Sequence, residues 1–164
     1  LEIITNLLII NTDLHYIISL APGVSSHELD SLARLEKVSI ESSESISTFK
    51  KSSVSIVASG TATLECALCN TPFLVIYKTS FINWFLAKIF LTIPFISIVN
   101  ILAQKEIVTE HVQYKINVKK ISLEIIDLLN NSATIKKELS FLNSTLGNGK
   151  AYYNAAKFII NFKK

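Results

Sequence analysis

Val54-Ser55-Ile56-Val57-Ala58 is a β-branched run that stops at Ser59-Gly60-Thr61 and passes at once into a helix-forming stretch, Ala62-Thr63-Leu64-Glu65. A buried strand that turns straight into a helix commits the chain to a βαβ unit, and so to a parallel sheet flanked by helices. Small residues at the strand end let backbone N–H groups approach an anion, and the helix that starts there aims its positive end at the same point. Ser59, Gly60, Thr61 and Ala62 are therefore read as a phosphate-binding turn. Glu65, in the second turn of that helix, cannot hold a phosphate; its carboxylate suits ribose hydroxyls. The local pattern reads as a nucleotide site.

The neighbouring segments repeat the alternation. Residues 1–10 read as the end of a helix, 14–20 as a buried strand, and the stretch from Ser25 or Ser26 to about Leu35 as a helix with Glu28 as capping-box partner of Ser25. Lys37 to Ile40 reads as a short strand, Ser45 to Lys51 as a short helix and Val54 to Val57 as the strand before the turn. Gly60 to Asn70 is then a helix ended by Thr71-Pro72, and Phe73 to Tyr77 the next buried strand. From Asn100 onward the periodicity is helical, over Glu106–Val112, Val118–Leu129, Thr134–Leu142 and Tyr152–Phe162, with Gly147-Asn148-Gly149 setting the last helix apart.

With 164 residues, 49% of them hydrophobic, the chain can bury the core of one domain. It contains no methionine and begins in an apolar-periodic segment, which reads as a piece of a longer protein. The formal charge is only +3 and the lysines are dispersed, so no nucleic-acid footprint is expected. Cys66 and Cys69 form a CxxC, but no second Cys/His pair lies near, and they read as small hydrophobes on a helix face. His15, His27 and His111 are scattered, and no metal site is expected.

Phe81 to Ala103 is the most hydrophobic region. Lys88 lies inside it and Thr92-Ile93-Pro94 breaks it, so no uninterrupted run reaches the ~20 residues of a membrane span. A helix from Phe81 to about Phe90 and a short strand over Phe95 to Ile98 are expected instead. Phe81, Trp84, Phe85 and Lys88 recur at helical spacing, which suits core packing and also suits a face dipping into lipid.

Three linked blocks carry a family resemblance. Ser59-Gly60-Thr61-Ala62-Thr63-Leu64-Glu65, then Pro72 through Tyr77-Lys78 with Phe81-Ile82-Asn83-Trp84-Phe85-Leu86-Ala87-Lys88, then Asn100-Ile101-Leu102-Ala103 running on through Gln104-Lys105-Glu106-Ile107-Val108-Thr109-Glu110-His111-Val112-Gln113, resemble in order and spacing the C-terminal half of lipid-A-disaccharide synthase. The resemblance is weaker before Val54 and after Gln113. It implies a Rossmann-like parallel sheet flanked by helices, the C-terminal nucleotide-sugar-binding domain of a GT-B glycosyltransferase. On this reading residues 1–164 form the UDP-sugar donor-binding domain, incomplete at its N-terminus, with 117–164 a helical C-terminal extension; the acceptor domain with its presumed general base, and a Gly-Ser-Arg loop before Leu1, are missing. The chain alone is therefore expected to be inactive.

The resemblance further implies a hexosyltransferase that joins UDP-2,3-diacylglucosamine to 2,3-diacylglucosamine 1-phosphate (lipid X) without metal or cofactor, on the cytoplasmic face of the inner membrane, with a homodimer conceivable. It assigns Ser59, Gly60, Thr61 and Ala62 to the diphosphate, Glu65 to the ribose and Asn100 to the donor site, and gives Glu106 and Gln113 weaker places along the cleft. Phe81, Trp84, Phe85 and Lys88 become candidate membrane-facing residues. Three positions depart from the pattern: Val99 stands for proline, Gln104 for glycine and Lys105 for arginine. The Val99 change is expected to loosen a turn; Gln104 requires a backbone that does not demand positive φ; Lys105 keeps a charge but loses a bidentate fork. Another UDP-sugar protein of the same class, of the peptidoglycan N-acetylglucosaminyltransferase or UDP-N-acetylglucosamine 2-epimerase type, or a non-catalytic nucleotide-binding or membrane-docking subunit, stands as the alternative.

Overall fold

The computed structural model describes residues 2–11, 13–20, 29–42, 44–80, 94–146, 149 and 151–162. In chain order these form α1 (Glu2–Ile10), β1 (Tyr16–Ser19), α2 (Asp30–Ala33), β2 (Val38–Glu41), α3 (Ser45–Lys51), β3 (Ser55–Ala58), α4 (Thr61–Leu68), β4 (Phe73–Tyr77), α5 (Ile98–Ala103), β5 (Glu110–Val112), α6 (Val118–Asn130), α7 (Ala133–Thr145) and α8 (Ala151–Phe162). β1 pairs with β2, and β3, β4 and β5 form a second sheet in that order; every pairing is parallel. The expected α/β architecture is therefore present.

β4 is the centre of the larger sheet. Phe73, Leu74 and Val75 are all fully buried, as a parallel strand covered on both faces requires. Phe73 and Val75 join Val57, Phe49, Cys66, Ala67, Val99, Val108, Leu139 and Leu142 on the face covered by α3, α4, α5 and α7. Leu74 points the other way, to Leu7 of α1 and Ile121 and Ile125 of α6. The period of two along the strand thus builds a three-layer sandwich.

α4 ends as its sequence permits. Asn70 takes the left-handed conformation with φ 54°, its N–H bonding Ala67 O and that of Thr71 bonding Cys66 O, a Schellman closure before Pro72. Asn143 of α7 donates to Ala67 O at 2.7 Å, tying the same helix end to the C-terminal part of the chain. Of the region 117–164, α6 and α7 belong to the core, whereas α8 is exposed along its described length, with Tyr152 at 92% and Phe162 at 80%.

Two expected elements are corrected. Phe95 to Ile98 is not a strand: residues 95–97 are irregular, and α5 starts at Ile98 with Ser97 as N-cap, its Oγ accepting from Asn100 N. Glu106 to Val112 is not a helix, because Glu110–Val112 pairs with Val75, Ile76 and Tyr77 as β5. The expected cap at Ser25, Ser26 and Glu28, the residue His27, and the expected helix with Phe81, Trp84, Phe85 and Lys88 lie outside the described residues.

Candidate functional site

The carboxyl ends of β3, β4 and β5 point the same way, and the segments that leave them meet at one edge of the sheet. From β3 comes the turn Ser59-Gly60 and the start of α4. Gly60 has φ 141° and ψ −160°, a conformation open to glycine and strained for other residues. As N-cap it offers no side chain to the first turn. Its carbonyl accepts from Thr63 N at 3.1 Å and Thr63 Oγ1 at 2.7 Å. The N–H groups of Thr61 and Ala62 precede any carbonyl that could take them within α4, and are the donors such a helix start presents to an anion.

Ser59 is placed at this edge, with its proton already committed: Oγ donates to Ile96 O at 3.1 Å. Its side chain braces the turn, and the donors left to an anion there are main-chain N–H groups. Glu65 lies one turn into α4, half-buried, with Oε2 accepting from Ser45 Oγ at the start of α3. That bond fixes the carboxylate and leaves Oε1 with acceptor capacity.

The environment of Asn100 differs from the expected strand end. It lies in α5, fully buried, with Nδ2 donating to Val108 O and Glu110 Oε1, each at 2.8 Å, and Oδ1 accepting from Ile107 N at 2.8 Å and Val108 N at 3.0 Å. An amide offers two N–H donors and two lone pairs, and here the protein occupies all of them. The side chain joins α5 to β5 and has no hydrogen-bonding position to spare for a ligand.

Gln113 stands at the carboxyl end of β5 with φ 52° and clamps one peptide position of the segment leaving β4: Oε1 accepts from Thr79 N at 3.0 Å, Nε2 donates to Thr79 O at 2.7 Å. Glu106 lies at the other edge. With Phe73, Lys105, Thr109 and Glu138 it lines a shallow cavity of about 300 Å³ at the amino end of β4, so the structure does not bring it to Ser59, Gly60 and Glu65. The residue that the sequence reading missed is Glu110, whose carboxylate accepts from Ile96 N at 2.8 Å and Ser97 N at 2.9 Å as well as from Asn100.

Cys66 is fully buried, and burial pushes its thiol up to about 12, opposed by a hydrogen bond with Ser55 and assisted by the neighbouring Cys69. Neither cysteine is in a disulfide. His111 is buried against α6, Nε2 lying 2.6 Å from Glu124 Oε2, while His15 is exposed. Among the described residues no three His, Cys, Asp or Glu side chains gather as metal ligands would, and no helix is long and apolar enough to cross a membrane.

A family model described as lipid-A-disaccharide synthetase matches residues 1–160. The chain belongs to that family. It is 37% identical over 112 residues to a lipid-A-disaccharide synthase of Syntrophus aciditrophicus, a match covering 66% of this chain and 29% of that protein. It is 38% identical over 99 residues to lipid-A-disaccharide synthase 1 of Legionella pneumophila strain Lens, covering 58% and 26%. With the lipid-A-disaccharide synthase of Rickettsia conorii it shares 36% over 91 residues, covering 56% and 20%. The chain thus spans between a fifth and three tenths of the length of these relatives.

The three departures from the lipid-A-disaccharide synthetase pattern now have positions. Val99 is inside the first turn of α5 and fully buried in the core, so it loosens no turn; proline is tolerated at such a position because the N–H it lacks has no helical partner. Lys105 pairs with Glu138 at 2.6 Å on the surface of the amino-end edge. Gln104 caps α5 in the left-handed region with φ 54° and ψ 23°, so the expected backbone without positive φ is corrected: the side chain sits at a position where a glycine would carry no strain. Changing Gln104→Gly removes about 1–2 kcal/mol of left-handed strain and adds back part of it as unfolded-chain entropy. A net gain of about 0.5–1 kcal/mol is expected in urea denaturation, and a loss would mean the Gln104 side chain contributes more than its backbone costs.

Proposed function

We propose that this chain is the donor-binding part of a glycosyltransferase that moves 2,3-diacylglucosamine from its UDP carrier onto 2,3-diacylglucosamine 1-phosphate (lipid X). The observation that carries the reading is the Ser59-Gly60-Thr61 turn at the carboxyl end of β3, where a left-handed Gly60 and a helix start present main-chain N–H groups, with Glu65 one turn further in. Membership of the lipid-A-disaccharide synthetase family supports the identity of the sugar nucleotide.

In the proposed reaction the acceptor 6-hydroxyl oxygen attacks the donor C1, the bond from C1 to the diphosphate breaks, and a β-1,6 linkage forms. The proton of the hydroxyl passes to a base outside this chain. Negative charge grows on the departing UDP, and donors already fixed in place by the fold stabilise it with no reorganisation at the moment of reaction. Thr61 and Ala62 N–H take the diphosphate, Glu65 Oε1 takes the ribose, and no metal enters. Asn100, with its amide fully bonded, holds α5 to β5, and Gln113 fixes the segment that leaves β4 at Thr79. The acylated substrates place the enzyme at the cytoplasmic face of the inner membrane as a peripheral protein, and the exposed apolar residues of α8 suit contact with a second copy.

The test is a UDP titration of the protein with ADP as control, followed by backbone amide shifts of Gly60 to Glu65 and repeated with anionic liposomes. Shifts selective for UDP, in a protein that sediments with the liposomes, are expected. Shifts elsewhere, or equal shifts with ADP, would overturn the donor-site reading; a protein that binds UDP but leaves liposomes alone would overturn the membrane location.

A further inference from the structure

Glu110 sits on the shortest strand of the sheet, yet its carboxylate gathers three donors: Ile96 N at 2.8 Å, Ser97 N at 2.9 Å and Asn100 Nδ2 at 2.8 Å. One of these bonds leads directly to the nucleotide turn. Ser97 N and Ile96 O belong to the same peptide unit, and the chain has no cis peptide among its described residues. In a trans peptide the N–H and the C=O point in opposite directions. The unit between residues 96 and 97 therefore joins Glu110 on one side to the Ser59 hydroxyl on the other, with Ser59 Oγ to Ile96 O at 3.1 Å.

A carboxylate on the N–H of a peptide polarises that peptide and strengthens its carbonyl as an acceptor. The Ser59 proton is thereby held on Ile96 O and turned from the place an anion would take. We propose that Glu110 is a positioning residue of the donor site, which acts through the 96–97 peptide to fix the Ser59 hydroxyl and, with it, the aim of the turn's main-chain N–H groups. This rests on the donor-site reading above. Glu110 lies on the face of β5 that carries Val75 on β4, beside α5, and reaches the end of β3 only by this relay. Ser59 and Glu110 come from strands separated by β4, so the relay also fixes where the carboxyl end of β3 stands relative to the start of α5.

The test is a double-mutant cycle in this protein, with UDP affinity measured by calorimetry well below each variant's melting temperature. Glu110→Gln can keep its amide oxygen on Ser97 N and Asn100 Nδ2 with its N–H₂ set against Ile96 N, so what it removes is the charge that polarises the 96–97 peptide, and UDP affinity weaker by up to about tenfold is expected. Ser59→Ala cuts the same relay at its other end and is expected to weaken UDP to a similar degree. The pair together should bind within about twofold of the weaker single variant, because both act on one connection. Glu110→Asp keeps the charge with a shorter reach and should fall between wild type and Glu110→Gln; it completes the cycle if the glutamine variant does not fold.

A purely structural brace would lower the melting temperature of both variants and leave UDP affinity in the folded protein unchanged. That result, or losses that multiply in the double variant, would overturn the proposal. Absence of UDP binding in the wild-type protein would instead overturn the donor-site reading on which it rests.

Discussion

Replacing Asn100 with leucine is expected to cost the fold about 3–5 kcal/mol, among the largest effects of any single substitution in this chain. Leucine has nearly the shape of asparagine and none of its polar atoms. It would leave Ile107 N and Val108 N without their acceptor, take the Asn100 donor from Val108 O, and leave Glu110 Oε1 with Ser97 N alone. The site is fully buried, so water cannot replace what is removed without opening the core. Asn100→Asp separates the two halves of the amide: it keeps acceptors for the two N–H groups but sets a second carboxylate against Glu110. Both variants should melt well below wild type in a thermal denaturation series. Loss of UDP binding by a variant of unchanged stability would mean that Asn100 touches the donor, contrary to its bonding here.

The second large effect is expected at Gly60. No atom lies within 4 Å of where a Cβ would be built, so Gly60→Ala meets no steric obstacle. Its whole cost is the backbone conformation at φ 141°, roughly 1–3 kcal/mol for a residue with a side chain. A chain under that strain relaxes by rotating the Gly60 peptide planes, and the N–H of Thr61 turns with them. UDP affinity should therefore fall about 5- to 150-fold, the same energy expressed as a binding constant. Calorimetry on the variant would read this directly, and wild-type affinity would place the diphosphate away from the turn.

The parts of this molecule that are local could be read from its sequence, and those that depend on distant backbone could not. Ser45 to Lys51 and Phe73 to Tyr77 have the bounds expected from the sequence. The Ser59-Gly60-Thr61 turn was legible because a small-residue break between a β-branched run and a helix former has few other meanings. Glu106 to Val112 misled: its apolar positions fit a helical spacing as well as a strand. Three residues of β5 are too few to carry a period, and what selects the strand is main-chain pairing with β4. α5 was missed although Ser97 stands immediately before it as an N-cap, because Phe95-Ile96 ahead of the serine looks like strand.

Glu110 falls inside the Asn100 to Gln113 block that carries the family resemblance, but nothing in the sequence gives its role. Its partners are the backbone of Ile96 and Ser97, fourteen and thirteen positions away, and backbone donors look alike whatever residue carries them. Asn100 sits in a motif that marks it as important while leaving open whether it serves a ligand or the fold. Only its four bonds distinguish the two.

The bond from Asn143 to Ala67 spans 76 positions, and its consequence concerns the order in which the protein is made. Leu139 and Leu142 complete the same layer that covers Val57, Phe73 and Val75, so during synthesis the nucleotide turn leaves the ribosome long before the helix that seals the floor beneath it. Until α7 arrives, the part of that face that Leu139 and Leu142 cover beside α3, α4 and α5 remains open to water, and a nascent chain interrupted short of Leu139 would carry the whole binding motif on an unfinished core. Beyond Thr145 the situation reverses, since α8 lies outside that layer. The last point of no return for this fold is therefore set by where α7 ends.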